Sequence, residues 1–159
     1  MSECKPGLLA FMGSGETTPN GGLVFETVVK TLQPTPTIGV LETPAGFELN
    51  SASVAKRVAD YIDIRLQNYS PKITVIPARR KETEFSTDAP ENIRSVMGCD
   101  MVFLGPGSPS YAVRQLAGSL VWDAVRFRFR QGAALVLASA ACIAMGKLAL
   151  PIYEIFKVG

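Results

Sequence analysis

Apolar residues in this chain follow two rhythms: short, nearly unbroken runs of strand length, and longer stretches in which they recur every three or four positions. The runs at 7–12, 37–41, 72–76, 100–104 and 133–137 are mainly apolar, as strands buried on both faces require. Between them lie stretches of helical period. The first carries Leu23, Val24, Val28 and Leu32 on one side until Pro34 and Pro36 stop it. A long helix from 51 to about 68 sets Val54, Val58, Tyr61, Ile62 and Leu66 at near-helical spacing, with Lys56, Arg57 and Asp60 on its other sides. The polar segment 79–90 is a surface connection into a short helix ending near Gly98. Helical pieces at 111–116 and 120–131 follow the fourth run, and a helix rich in small residues reaches Gly146 after the fifth. From Pro151 the ending reads as extended. Strand alternating with helix predicts an α/β fold, a mostly parallel, doubly wound sheet of five or six strands with helices on both faces. No internal repeat, low-complexity tract or linker marks a second domain, so residues 1–159 read as one.

Composition narrows the function without naming it. With 47% hydrophobic residues and a mean hydropathy of +0.21, the chain has ample material for one large core. A formal charge of +2, from 16 basic and 14 acidic residues spread along the chain, provides no stripe for a phosphate backbone, and nucleic acid is excluded as a partner. The clusters Arg79-Arg80-Lys81 and Arg126-Phe127-Arg128-Phe129-Arg130 read as solvated surface. Lys147 ends the uncharged run 133–146 short of the roughly 20 residues a membrane span needs. The first six residues lack the order of a secretory signal, so a cytoplasmic protein is expected. Cys4, Cys99 and Cys142 are widely spaced and no histidine is present, which disfavours structural disulfides and zinc.

The candidate chemistry lies in three turns that a parallel sheet would gather at its carboxyl edge, where ligands bind in such folds. These are Gly13-Ser14-Gly15, Gly105-Pro106-Gly107-Ser108 and Ser139-Ala140-Ala141. Glycine leaves amide hydrogens unobstructed, so the first two suit a negatively charged oxygen. Each glycine loop alone also fits an ordinary strand-to-helix turn, and neither carries a full nucleotide fingerprint. In the third turn an apolar run drives into a serine set among small residues, the arrangement that exposes a nucleophilic hydroxyl. Leu137 and Ala141 stand where that turn usually has small neighbours. On the residues alone, Ser139 is either this nucleophile or a buried serine hydrogen-bonded within the junction. Cys142, inside the following helix, reads as a buried, inert thiol.

These segments in this order, with Glu16 closing the first as Gly13-Ser14-Gly15-Glu16, resemble the peptidase S51 family. That family holds aspartyl dipeptidase (peptidase E) and cyanophycinase and shares the class I glutamine amidotransferase-like fold. The resemblance runs over essentially the entire chain and implies a serine hydrolase acting on small peptides or peptide-like amides, without a cofactor. It implies Ser139 as nucleophile and the amides of Gly107 and Ala140 as the oxyanion hole, with Gly105, Ser108, Gly13, Gly15 and Glu16 around the substrate. Active members place a histidine and a supporting acid after the nucleophile, whereas this sequence ends 20 residues past Ser139. A truncated carboxyl terminus is therefore expected. An uncovered sheet edge follows from it, and with it a homo-oligomer using the segment from Pro151 as a contact. Lys147 would replace the histidine only if desolvated and turned back towards the serine. The alternative is a catalytically silent relative that keeps the pocket for small-molecule binding or assembly.

Overall fold

The computed structural model describes residues 5–158, so Cys4, the polar start up to residue 4 and Gly159 lie outside the described residues. Five strands, β1 (Leu9–Met12), β2 (Thr37–Leu41), β3 (Lys72–Ile76), β4 (Met101–Leu104) and β5 (Ala134–Ala138), form one all-parallel sheet in the order β1-β5-β4-β2-β3. Helices α1 (Pro19–Val29), α2 (Ser51–Arg65), α3 (Pro90–Met97), α4 (Pro109–Leu116), α5 (Leu120–Arg130), α6 (Ala140–Ala144) and α7 (Ile152–Val158) connect and follow them. Three helix starts are written in the sequence: Thr18, Ser108 and Ser119 each accept a hydrogen bond from an amide in the first turn they cap. Pro19 and Pro109 directly follow two of these caps, where proline loses no hydrogen bond.

Alternate side chains of the strands point to opposite faces, and each face has its own apolar cluster. Val40, Phe103 and Val136 pack under α1 and α2 with Phe25, Val28, Val58 and Ile62. Leu41, Leu104, Leu135 and Leu137 pack under α3 to α6 with Val96, Leu116, Val125 and Ala141. Leu137, two positions before the serine, therefore occupies this second core, 1% exposed, and does not crowd the turn.

Several expectations need correction. Leu23 is 54% exposed, and Phe25 fills the core instead. Starting α1 at Pro19 sets its phase so that Gly21 and Gly22 face inward, and a Cβ on Gly22 would meet Tyr61 and Arg65 of α2. This close approach is what turns Leu23 outward. Helix α2 stops at Arg65, and a 3-10 turn at Gln67–Tyr69 completes the stretch expected to be helical to 68. The basic clusters are not simply solvated. Arg79 pairs at 2.6 Å with the buried Glu42, which also accepts from Ser51, and lies over the Phe85 ring. Arg128 donates twice to the carbonyl of Cys99. The small-residue helix α6 ends at Ala144, before Gly146. The ending after Pro151 is helical, because Ile152, Tyr153 and Phe156 share one face of α7 and find a surface there.

Candidate active site at the turn after strand β5

Strand β5 runs into α6 through Ser139 alone, with φ 50° and ψ −122°. A residue bearing a Cβ enters this backbone region only when its surroundings hold it there. Those surroundings are specific: the Ser139 amide donates to the carbonyls of Met12 at 3.2 Å and Gly13 at 2.8 Å, latching the turn to the end of β1. Ala140 and Ala141, which follow it, are both buried. The hydroxyl of Ser139 does not cap α6, and the residue lines an open cleft of about 230 Å³. Glycine relieves the strained backbone, so Ser139→Gly is expected to raise stability by about 1 kcal/mol. Thermal denaturation of the two proteins checks it, and an unchanged or lower melting temperature argues against strain at this turn.

Gly107 stands across the cleft. Its φ of +145° and its position against the loop after β2 leave no room for a side chain, since a Cβ there would overlap the carbonyl oxygen of Pro44. Ser108 secures the same loop by donating its amide to Pro44 at 2.9 Å. Among the described residues, the amides of Gly107 and Ala140 donate to no other backbone group. Both residues line the cleft with Ser139.

The remaining expected site residues divide. Gly13 reaches the turn through its carbonyl, which accepts the Ser139 amide, and it does not line the cleft. Gly15, with φ +82°, accepts from the amide and hydroxyl of Thr18 and shapes the entry to α1. Glu16 sits in that entry turn, and neither residue lines the cleft. Gly105 lies against the Phe103 ring beside a different, small cavity. Ser108 is 2% exposed and caps α4. Its hydroxyl, with that of Ser110, also donates to the carboxylate of Glu154 on α7. Those hydrogen bonds, Ser110 first, hold the Glu154 carboxyl below its ordinary range. Cys142 lies with its thiol within hydrogen-bond distance of the carbonyls of Met12 and Leu137, and burial raises its pKa.

The outer wall of the cleft escaped the sequence reading. It is built by Ile143 of α6 and by Ile152, Tyr153 and Phe156 of α7. Tyr153 packs edge-on against Phe47, and its hydroxyl donates to Glu48 at 2.8 Å. Phe47 in turn contacts Tyr111. No spacing along the chain joins these residues; only their shared surface does.

The all-parallel sheet of five strands flanked by helices has a peptidase S51-like fold. Two solved structures carry that comparison. A peptidase from an acI-B1 Actinobacterium matches with a TM-score of 0.75 and 20% identity, over 89% of this chain and 57% of its own. A candidate peptidase E protein from Listeria monocytogenes EGD-e matches with a TM-score of 0.60 and 11% identity, over 87% of this chain and 61% of its own. The chain thus spans about three fifths of the length of these structures. No family model and no curated protein matches it. Among the described residues, no helix is long and apolar enough to cross a membrane.

Proposed function

We propose that the chain carries the nucleophile and oxyanion donors of a serine peptidase or amidohydrolase site acting on small peptides or peptide-like amides. The observation that supports this most is the backbone of Ser139, held at φ 50° in a cleft that Gly107 and Ala140 also line. In such a reaction the Ser139 Oγ attacks the amide carbonyl and its proton passes to a base. The C–N bond then breaks, the amine leaves with a proton, and water releases the acyl group. Among these 159 residues there is no histidine to serve as that base. Turnover by these residues alone is accordingly slow, since loss of a triad base removes several powers of ten in rate.

That missing base supports a second reading, a catalytically silent protein that uses the cleft for binding or assembly. A fluorophosphonate probe separates the two. Covalent labelling that disappears in Ser139→Ala is expected for the hydrolase; folded protein that takes up no label favours the silent form.

Assembly as a homo-oligomer and a cytoplasmic location belong to the same proposal. Strand β1 is a sheet edge on which Leu9 and Phe11 are 44% and 59% exposed, with no charge or proline in 8–12 to discourage pairing. Sedimentation at micromolar concentration is expected to show a dimer or larger species, and a well-folded monomer would count against assembly.

A further inference from the structure

Granting the reading of Ser139 and Gly107 proposed above, we infer that Thr43 and Tyr111 are positioning residues for the reaction. Both hydroxyls are fastened to the segment 78–79 after β3, and between them they fix where Gly107 stands in the cleft. Gly107 has no side chain with which to hold itself, so its place is set by what lies on either side. On one side is the turn Thr43–Ala45, so close that a Cβ on Gly107 would overlap the Pro44 carbonyl. The next amide along the chain, that of Ser108, donates to the same carbonyl at 2.9 Å. On the other side α4 begins at Pro109 and carries Tyr111 in its first turn. If either the turn or the helix shifts, Gly107 shifts with it.

Both supports are tied to one place. The fully buried Thr43 donates its hydroxyl to the carbonyl of Ala78, itself fully buried, and Tyr111 donates its hydroxyl to the carbonyl of Arg79 at 2.8 Å. The anchoring segment is firmly held in its turn. The Arg79 amide donates to Phe85 at 2.7 Å, its guanidinium lies over the Phe85 ring, and its Nε pairs at 2.6 Å with the buried Glu42, the residue just before Thr43. A Cβ on Gly46 would collide with the Arg79 backbone, so the loop after β2 packs directly on it. Position 43 therefore transmits the place of this anchor to the adjacent Pro44 carbonyl, and from there to Gly107. Valine has nearly the shape of threonine but no hydroxyl. Put at position 43, it would deprive the buried Ala78 carbonyl of this donor and free the turn to move.

The test compares the unmutated protein with Thr43→Val, Thr43→Ser and Tyr111→Phe, each checked for its fold by circular dichroism. The rate constant and the apparent binding constant of fluorophosphonate labelling are measured separately, and the Gly107 amide resonance is followed by proton–nitrogen NMR. Outright loss of an oxyanion donor costs roughly 10²–10³ in rate, so Thr43→Val, which only displaces one, is expected to slow labelling about tenfold with apparent binding changed by less than about twofold. It is also expected to move the Gly107 resonance, and Thr43→Ser, which keeps the hydroxyl, to restore both readings. Tyr111→Phe removes a less buried hydroxyl; it is expected to act in the same direction and carries the test if Thr43→Val does not fold. A Gly107 resonance unmoved in the folded variants, a moved resonance with an unchanged labelling rate, or a loss that Thr43→Ser fails to restore would overturn the inference. Absence of labelling in the unmutated protein rejects instead the underlying reading of Ser139, and the Gly107 resonance then decides by itself whether these hydroxyls seat the glycine.

Discussion

Gly107→Ala is expected to destabilise the protein by about 3 kcal/mol and to abolish labelling of Ser139, because both the space and the backbone angle at this position admit only glycine. A Cβ there would overlap the Pro44 carbonyl and lie 2.6 Å from the Ala45 amide nitrogen. All of these are backbone atoms held by further hydrogen bonds, Ala45 to Glu42 and Ser108 to Pro44. They cannot swing aside as a flexible side chain would, so the loop after β4 must move away from the loop after β2. That movement carries off Gly107, whose amide is one of the two proposed oxyanion donors. Gly13→Ala is the matched control: a Cβ at Gly13 meets nothing within 4 Å, and the substitution is expected to cost no more than about 0.5 kcal/mol. Urea denaturation of the two variants, read beside fluorophosphonate labelling, decides the matter. Equal stability for both, or full labelling of Gly107→Ala, would show that this glycine neither fills a tight site nor supplies a donor.

Phe103→Ala is expected to cost about 3–5 kcal/mol, the range for deleting a fully enclosed aromatic side chain. Phe103 is 1% exposed, and its ring meets that of Phe25 edge to face with centroids 5.6 Å apart. It lies on β4 in register with Val40 and Val136, at the centre of the cluster that binds α1 and α2 to the sheet. The same ring lies under Gly105, whose added Cβ would come within 2.7 Å of it, so the cavity would also loosen the loop that carries Gly107. The expected pattern is a large fall in the denaturation midpoint together with weaker labelling of Ser139. A loss below about 1.5 kcal/mol would mean that the core collapses to fill the space or that the rings contribute little to holding α1 in place.

Much of the architecture is legible along the chain. The second and third strands coincide with the runs 37–41 and 72–76: β2 is a nearly continuous apolar run buried inside the sheet, and β3, at the sheet edge, alternates exposed and more buried residues. Helix starts at Pro19 and Pro109 follow from a capping Thr or Ser placed before proline. Ser139 could be singled out because an apolar run entering a set of small residues leaves few other conformations for the turn.

Other features were decided only by tertiary structure, and they share a cause: each depends on a partner far away in the chain. The inward phase of α1 is set by Gly22 against Tyr61 and Arg65, not by its own periodicity. Arg79 is drawn inward by Glu42. Helix α7 forms where an extended ending was expected, since Tyr153 and Glu154 find Glu48, Ser108 and Ser110. Gly13 holds the turn through its carbonyl, because the end of β1 lies beside the turn after β5. Local sequence determined which segments could be strands, caps and the strained serine, through steric and hydrogen-bonding preferences that act within a few residues. The packing of the sheet determined what surrounds that serine, because a cleft exists only once separate loops have been brought to the same edge.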